Sequence, residues 1–402
     1  YYKKRPILST VTNLGVFLGV CVAIHMIWGW KTALLYAVMP LNVSSVAWIT
    51  GNYYATTVLL TLASYYFALQ GIAGTLFAVP FYISALNSTV SSIPFAFFIP
   101  FVTHQWYHFV FLWPLVTYLF GYRFKEGVRL RKERHKNIYV EAGTFKWHYL
   151  FLMPKIMAYY LILCLWPSRL GFWHDFSYHE SRKGKVCKPS FQWGISCLLL
   201  FLWLVFGWNV NYEGIIWWFL FQGIFSQFTT LGMLVAERYT YLANVGFCLV
   251  ISSFLPNDTM LAILVTLWFC RSWLYTKSFK NNKNLFLESI EAHPNAKENY
   301  LNLSQHYLER HDHINAMKWL RRADEIAGGN DSGINDSLAI SYLENGFYDK
   351  AKIHCEKALS NCSQTRREHL IKVLQIINNK IAWVQTNRKY LKDSENEFHN
   401  IK

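Results

Sequence analysis

The sequence has 402 residues, of which 53% are hydrophobic, 18% aromatic and only 16% charged. Soluble domains usually carry about 25% charged residues, so this composition excludes a water-soluble protein for most of the chain. The net charge of +15 would fit nucleic-acid binding, but the basic residues lie mainly in loops between apolar segments and in the C-terminal third. Anionic lipid head groups and the orientation of membrane segments explain them better, so we expect membrane lipids and no nucleic acid as partners.

Apolar segments long enough to cross or enter a bilayer recur through the first two-thirds of the chain. About ten are present, at residues 11–30, 54–69, 71–86, 93–102, 109–120, 147–166, 191–208, 214–235, 241–255 and 261–273. Residues 32–48 are polar in their second half and predict a re-entrant or interfacial helix. The pattern therefore predicts an all-α, polytopic membrane helix bundle over residues 1–277.

The eight cysteines are scattered, and no two of them form a C-x-x-C pair. Most lie inside apolar segments, which indicates small buried side chains rather than a metal site or a disulfide framework. The sequence begins at Tyr1 without an initiator methionine or a signal peptide, and we expect it to be part of a longer protein.

A cluster of basic residues follows the apolar segment that ends at Phe120, and such clusters stay on the cytoplasmic side of a membrane. Its members are Arg123, Lys125, Arg129, Arg131, Lys132, Arg134 and Lys136. Counting crossings from this cluster puts residues 168–188, residues 237–241 and everything after Lys277 on the opposite side. We therefore predict a C-terminal domain on the periplasmic side of a bacterial inner membrane or the lumenal side of the endoplasmic reticulum.

Residues 278–402 are polar and helical in pattern, and two windows match the tetratricopeptide (TPR) arrangement of small and large positions. The matching residues are Tyr300, Leu303, Ser304, Tyr307, Ala316, Leu320 and Ala323, then Leu338, Ala339, Tyr342, Ala351, Cys355 and Ala358. The small residues let two helices approach closely, and the aromatic ones fill the gap. Residues 365–391 predict a further first helix or a capping helix. A generic pair of helical hairpins is the simpler alternative.

The strongest candidate for chemistry is the segment of residues 236–242, which ends one long apolar segment and opens the next. Polar groups beside a membrane are costly and are therefore candidate sites. Arg238 has the planar fork of donors that binds a lipid-linked phosphate, and Glu237 would orient it or act as an acid–base group. The simpler interpretation is an interfacial Glu–Arg pair that anchors a helix end.

A second candidate is the loop that carries His174, Asp175, His179 and Glu180. These residue types can bind zinc, but no further ligands stand at matching spacing, so we assign no metal site. Asp175, with His174 beside it, is a better candidate for contacting a sugar or a divalent cation. A plain solvated loop is the simpler interpretation. No cofactor is expected with certainty.

Several motifs follow one another in an order that resembles a known family. They are residues 40–48 (Pro-Leu-Asn-Val-Ser-Ser-Val-Ala-Trp), residues 169–177, residues 214–219 (Gly-Ile-Ile-Trp-Trp-Phe) with Leu231-Gly232, residues 236–242 and residues 284–297. Together they resemble the transmembrane and TPR-containing O-mannosyltransferases and their bacterial relatives. The resemblance covers nearly the whole chain.

The resemblance implies a C-type glycosyltransferase fold that takes a sugar from a polyprenyl-phosphate carrier and transfers it to an acceptor on the non-cytoplasmic face. Arg238 would then lie near the donor phosphate, with Glu237 and Asp175 near the site. The catalytic acidic pair of the family stands in a first outer loop that we expect upstream of Tyr1, so the catalytic residues remain unknown. The sequence departs from the family where Asn42 replaces a His, Ser44 a Glu and Ala243 a Pro.

We thus predict a membrane glycosyltransferase whose C-terminal repeats recruit a protein or glycan acceptor. The alternative is a non-catalytic membrane scaffold that binds proteins through its repeats. A transporter has little support, since the sequence has neither inverted repeats nor paired broken helices.

Overall fold

The computed structural model describes residues 6–48, 52–121, 151–175, 191–228, 234–362 and 364–399. These residues are helical with no strand among them, which confirms the all-α prediction for that part of the chain. The chain divides into two compact units, Tyr1–Leu285 and Phe286–Lys402. The division lies slightly C-terminal to the boundary of 277/278 expected from the sequence.

The first unit contains twelve α-helices among the described residues, and a thirteenth runs across the division. They are α1 (Pro6–Trp28), α2 (Trp30–Val38), α3 (Val43–Ala47), α4 (Asn52–Ala68), α5 (Gly71–Ser88), α6 (Phe95–Thr103), α7 (Leu112–Phe120), α8 (Leu152–Leu165), α9 (Phe191–Val210), α10 (Tyr212–Gly223), α11 (Ala243–Phe254), α12 (Asp258–Ser278) and α13 (Asn282–Ala292). Short 3-10 helices at Pro40–Asn42, Val90–Ser92, Trp106–Phe111 and Glu237–Thr240, and a π-helical turn at Ile224–Phe228, connect them.

Among the residues that the structure describes, four helices are long and apolar enough to cross a membrane: Val11–Trp28, Gly71–Ser88, Phe191–Val210 and Asp258–Ser278. Their apolar side chains are largely exposed. On α9, for example, Phe191, Leu198 and Phe201 are exposed, and the buried residues are Leu200, Trp203 and Gly207. Apolar surface on this scale fits hydrocarbon rather than water, so the first unit indicates a membrane protein.

The predicted span at residues 241–255 is shorter in the structure. Its helix α11 has 12 residues and rises roughly 18 Å, against a hydrocarbon core of about 30 Å. The helix α8 covers residues 152–165 of the predicted span 147–166, whose first four residues lie outside the described residues. The two segments expected at residues 93–102 and 109–120 are separate in the structure too, and His104 adopts a left-handed conformation between α6 and the next 3-10 helix.

The predicted re-entrant or interfacial helix at residues 32–48 is a broken helical segment. It consists of α2, the 3-10 helix Pro40–Asn42 and α3. Pro40 begins the 3-10 turn, where its missing N–H breaks no helical hydrogen bond. The segment packs against α12 and against residues 237–240, so it forms one wall of the candidate site.

Two glycines bring α10 and α11 into backbone contact. A Cβ on Gly214 would lie 2.8 Å from the carbonyl oxygen of Gly246, and a Cβ on Gly246 would lie 2.4 Å from that of Gly214. Small residues allow this approach, as in other packed membrane helices. The contact fixes the two helices that precede and follow the site segment.

A carboxylate joins three helices elsewhere in this unit. Oε1 of Glu213, at the start of α10, accepts hydrogen bonds from Trp28 Nε1 at 2.8 Å and from the Tyr65 hydroxyl at 2.6 Å. Trp28 ends α1 and Tyr65 lies on α4, so the bonds connect sequence-distant elements. No pattern in the sequence marks Glu213, and the two aromatic donors of this residue indicate a structural role.

The second unit is a stack of helical pairs. Its helices are α14 (Lys297–Leu308), α15 (His313–Ala327), α16 (Ser332–Glu344), α17 (Tyr348–Ser360) and the 36-residue α18 (Gln364–His399), after the end of α13. The residues singled out for packing are buried, except for the half-buried Tyr307: Tyr300, Leu303, Ala316, Ala323, Tyr342, Ala351 and Ala358. Leu370, Val373 and Ile377 of α18 complete the core.

Candidate functional site

Three aromatic side chains hold the segment of residues 236–242 in place. The hydroxyl of Tyr160 accepts from the backbone N–H of Ala236, at 3.0 Å. The hydroxyl of Tyr36 donates to the carbonyl of Tyr241 at 3.0 Å, and Trp217 Nε1 donates to the carbonyl of Leu242 at 2.8 Å. These bonds satisfy backbone groups that could find no water inside a membrane protein, and they fix where Glu237 and Arg238 lie.

Glu237 is turned into the protein and is only 2% exposed. Its Oε1 accepts from the backbone N–H of Gly171 at 2.7 Å, and its Oε2 accepts from the Tyr275 hydroxyl at 2.9 Å. Ser44 also contributes a side-chain hydrogen bond. The carboxyl group therefore joins α3, the loop after α8 and α12.

Burial raises the pKa of Glu237 to about 8, although the hydrogen bonds from Gly171 and Tyr275 and the nearby charge of Arg271 act in the opposite direction. Glu237 lies in a 3-10 helix outside the four candidate spans. The burial of the carboxyl group favours a positioning role over contact with a substrate.

The side chain of Arg238 has different surroundings from that of Glu237. Its guanidinium carbon lies 5.0 Å from the ring centroid of Trp48, 5.3 Å from that of Phe172 and 5.5 Å from that of Tyr239. The side chain is half-buried. Guanidinium groups stack favourably on aromatic faces, and this stacking holds the charge of Arg238 in one place.

The loop residues that were predicted next to this site differ in their environments. His174 is 5% exposed, its Nδ1 lies 2.9 Å from the Tyr159 hydroxyl, and its Nε2 lies 3.8 Å from Oε1 of Glu237. It belongs to the buried network around Glu237. Asp175 is half-buried and is the last described residue of this loop. His179 and Glu180 lie outside the described residues.

No group of three or more His, Cys, Asp or Glu side chains that could hold a metal ion occurs in the described part of the chain. The described cysteines, which exclude Cys187, are free thiols, and several are buried.

A second arginine, Arg271, belongs to this region and was missed. Its Nε donates to the carbonyl of Pro167 at 2.9 Å, and its Nη2 donates to the carbonyl of Ser168 at 3.2 Å. The guanidinium also lies 5.5 Å from the ring of Tyr275. An arginine within an apolar segment is costly, and that signal in the sequence could have identified it.

The positions where the sequence departs from the resembled family are also built into this region. Asn244 Nδ2 donates to Oδ1 of Asn42 at 2.7 Å, and Asn42 Nδ2 donates to the carbonyl of Tyr36 at 2.8 Å. Ser44 is buried beside Glu237. These neutral side chains take part in packing α2, α3 and α11 together.

No protein-family model matches this sequence, and neither a curated protein nor a solved structure matches it. The function of this protein is therefore inferred from the residues and the geometry described above.

Proposed function

We propose that this chain is the body of a membrane glycosyltransferase that takes a sugar from a polyprenyl-phosphate donor. The observation that carries the proposal is the half-buried residue Arg238, whose guanidinium lies among the rings of Trp48, Phe172 and Tyr239. A cation fixed in this way in a membrane protein suits the phosphate of a lipid carrier. Glu237 supports it by holding the surrounding elements rather than by neutralising it.

The proposed reaction is an in-line displacement at the anomeric carbon of the donor sugar. The bond from that carbon to the phosphate oxygen breaks, and the acceptor oxygen forms the new bond. Arg238 stabilises the charge that develops on the leaving phosphate, which is the largest contribution a positioned cation makes to such a step. The residue that removes the acceptor's proton is not assigned, and Asp175 is the described candidate for contacting the sugar or a divalent cation.

The proposed role of the second unit is recruitment of the acceptor. Its paired helices, closely packed through Ala316, Ala323, Ala351 and Ala358, support the interpretation as TPR repeats. Such stacks bind proteins along an extended surface. In this proposal the unit lies on the periplasmic or lumenal side, where lipid-linked sugars are used.

The test is sugar transfer by the intact protein in membranes, with a panel of radiolabelled polyprenyl-phosphate sugars as donors. We expect Arg238→Ala to lower transfer about a hundredfold or more, since one positioned donor contributes that much to stabilising a transition state. Arg322→Ala is the matched control, because Arg322 is an exposed arginine of the second unit. Transfer that persists unchanged in Arg238→Ala would contradict the proposal.

A non-catalytic scaffold is the second candidate. The observation that favours it is that the neutral side chains of Asn42 and Ser44 stand where the resembled family carries His and Glu, and that both are buried, with Asn42 bonded to Asn244. Under this alternative the intact protein transfers no sugar from any donor of the panel, and truncation after Lys277 abolishes capture of its protein partner. Capture that survives the truncation would count against a scaffold built on the repeats.

A further inference from the structure

A cavity of about 700 Å³ lies within the first unit. Helices α1, α2, α3 and α12 and the first residues of α13 build its wall, which includes Leu14, Val43, Val46, Trp48, Phe269 and Lys280. This volume falls within the range of roughly 300–1,000 Å³ that is typical of ligand sites. The apolar wall with a few polar groups is also typical of them.

The position of the exposed wall residues shows what the cavity faces. Leu14 of α1 is 51% exposed, and Phe269 and Trp273 of α12 are 55% and 60% exposed. Both helices contain candidate membrane spans, Val11–Trp28 and Asp258–Ser278. Large apolar side chains exposed on such spans face hydrocarbon, so the cavity opens sideways to the lipid.

The other end of the cavity is polar. Lys280, Asn281 and Asn282 line it immediately after α12 ends at Ser278, and Thr276 lies one turn earlier. Lysines at the ends of spans place their charge at the head-group level of a bilayer. The cavity thus offers an apolar body and a cationic, hydrogen-bonding end, which matches a lipid with an anionic head.

Trp48 connects the cavity to the candidate site. It belongs to the cavity wall, and its ring also lies 5.0 Å from the guanidinium of Arg238. Asn42, which is bonded to Asn244 beneath the site, lines the cavity as well. The two features therefore share a wall rather than occupying separate regions of the unit.

We infer that the cavity holds the hydrocarbon chain of a lipid phosphate, which enters between α1 and α12 and presents its phosphate to Arg238 beside Trp48. The assignment of a phosphate head group rests on the proposed function. The assignment of a site for the hydrocarbon chain depends only on the lateral opening and the apolar wall of the cavity. Val43 and Val46 of α3 line the cavity, so larger side chains at these positions would take up part of its volume.

The first experiment measures binding of radiolabelled farnesyl phosphate to the full chain in detergent micelles. We expect Val43→Phe and Val46→Phe to weaken binding at least tenfold, because the added ring fills the cavity. Ile263→Phe is the matched control, since Ile263 is 57% exposed on α12 and does not line the cavity. Binding to both filled variants with the affinity of the unaltered protein would overturn the inference. Displacement of the probe by an equal molar amount of phosphatidylglycerol, a lipid with two chains, would overturn the single-chain lipid phosphate that we infer.

The second experiment needs no variant. Farnesyl phosphate with a photoreactive group at the far end of its chain is bound to the unaltered protein, irradiated and mapped by mass spectrometry. We expect labels on α1, α3 and α12 near Leu14, Val46 and Phe269, whereas labels confined to α9 would overturn the inference.

The inference and the proposed function can fail separately. Labelling of the cavity wall in a protein that transfers no sugar supports the chain site and contradicts the transferase. Sugar transfer that is unaffected in both filled variants, with labels away from the cavity, supports the transferase and contradicts the chain site.

Discussion

The hydroxyl of Tyr275 on α12 donates a hydrogen bond of 2.9 Å to Oε2 of Glu237, and this bond closes the candidate site on one side. Both side chains are buried. We expect Tyr275→Phe to cost about 1–3 kcal/mol of stability, because a buried acceptor loses its donor. Thermal unfolding in detergent would show a lower midpoint. Tyr212→Phe is the control, since Tyr212 is 47% exposed, and an equal loss there would contradict the importance of the buried bond.

The raised pKa of Glu237 predicts how stability depends on pH. The folded protein keeps the proton up to about pH 8, whereas an exposed glutamate releases it near 4.5. Below the ordinary value both states are protonated and this contribution to stability is fully present. It is then lost as pH rises between these two values, because only the unfolded state gives up the proton.

Glu237→Gln tests this dependence. An amide keeps a similar shape and does not titrate, so we expect the thermal midpoint of the variant to fall less between pH 5 and pH 8 than that of the unaltered protein. Identical pH profiles for the two proteins would show that Glu237 is not the titrating group.

The backbone contact between Gly214 and Gly246 predicts an intolerant position. Gly246→Ala would put a Cβ 2.4 Å from the carbonyl oxygen of Gly214, so α10 and α11 must move apart. We expect a loss of about 1–3 kcal/mol or more, measured by chemical or thermal unfolding. Gly194→Ala on α9 is the control, because nothing lies within 4 Å of the added Cβ. The two variants should differ clearly, and equal stability would contradict the close packing.

In the second unit, Asp331 caps α16. Its Oδ1 accepts from the backbone N–H groups of Gly333 and Ile334, and Lys297 pairs with Oδ2. We expect Asp331→Ala to cost about 0.5–2 kcal/mol, and Lys297→Ala to cost less because partly exposed ion pairs contribute little. Hydrogen exchange of the α16 amides in the full chain measures both. A larger loss of stability in Lys297→Ala than in Asp331→Ala would show that the ion pair contributes more than the helix cap.

The sequence was informative where a local pattern determines the structure. Small residues at helical spacing, such as Ala316 and Ala323, predicted positions that are buried. The polar segment 236–242 between apolar segments also drew attention to Glu237 and Arg238, but not to the different environments of their side chains. Whether a carboxylate faces inward depends on donors from Gly171 and Tyr275, which lie far away in the sequence.

The aromatic rings around Arg238 could not have been predicted for a related reason. Trp48 and Phe172 stand in a chain that is 18% aromatic, so their presence carries no information by itself. The number of long spans could not be predicted from hydropathy either, because an apolar segment does not show where its helix begins and ends, as at α11, which has only 12 residues. Arg271 was the exception, since a cation within an apolar segment is visible in the sequence.

The bonds of Glu237 also impose an order on biosynthesis. Gly171 precedes Glu237 by 66 residues and Tyr275 follows it by 38, so both donors cannot be present until the ribosome has translated α12. Until then Glu237 lacks the hydroxyl of Tyr275, and a neutral, protonated carboxyl group with an incomplete set of partners is far less costly than a charged one. Synthesis of α12 is therefore the step that supplies the last donor to this carboxyl group.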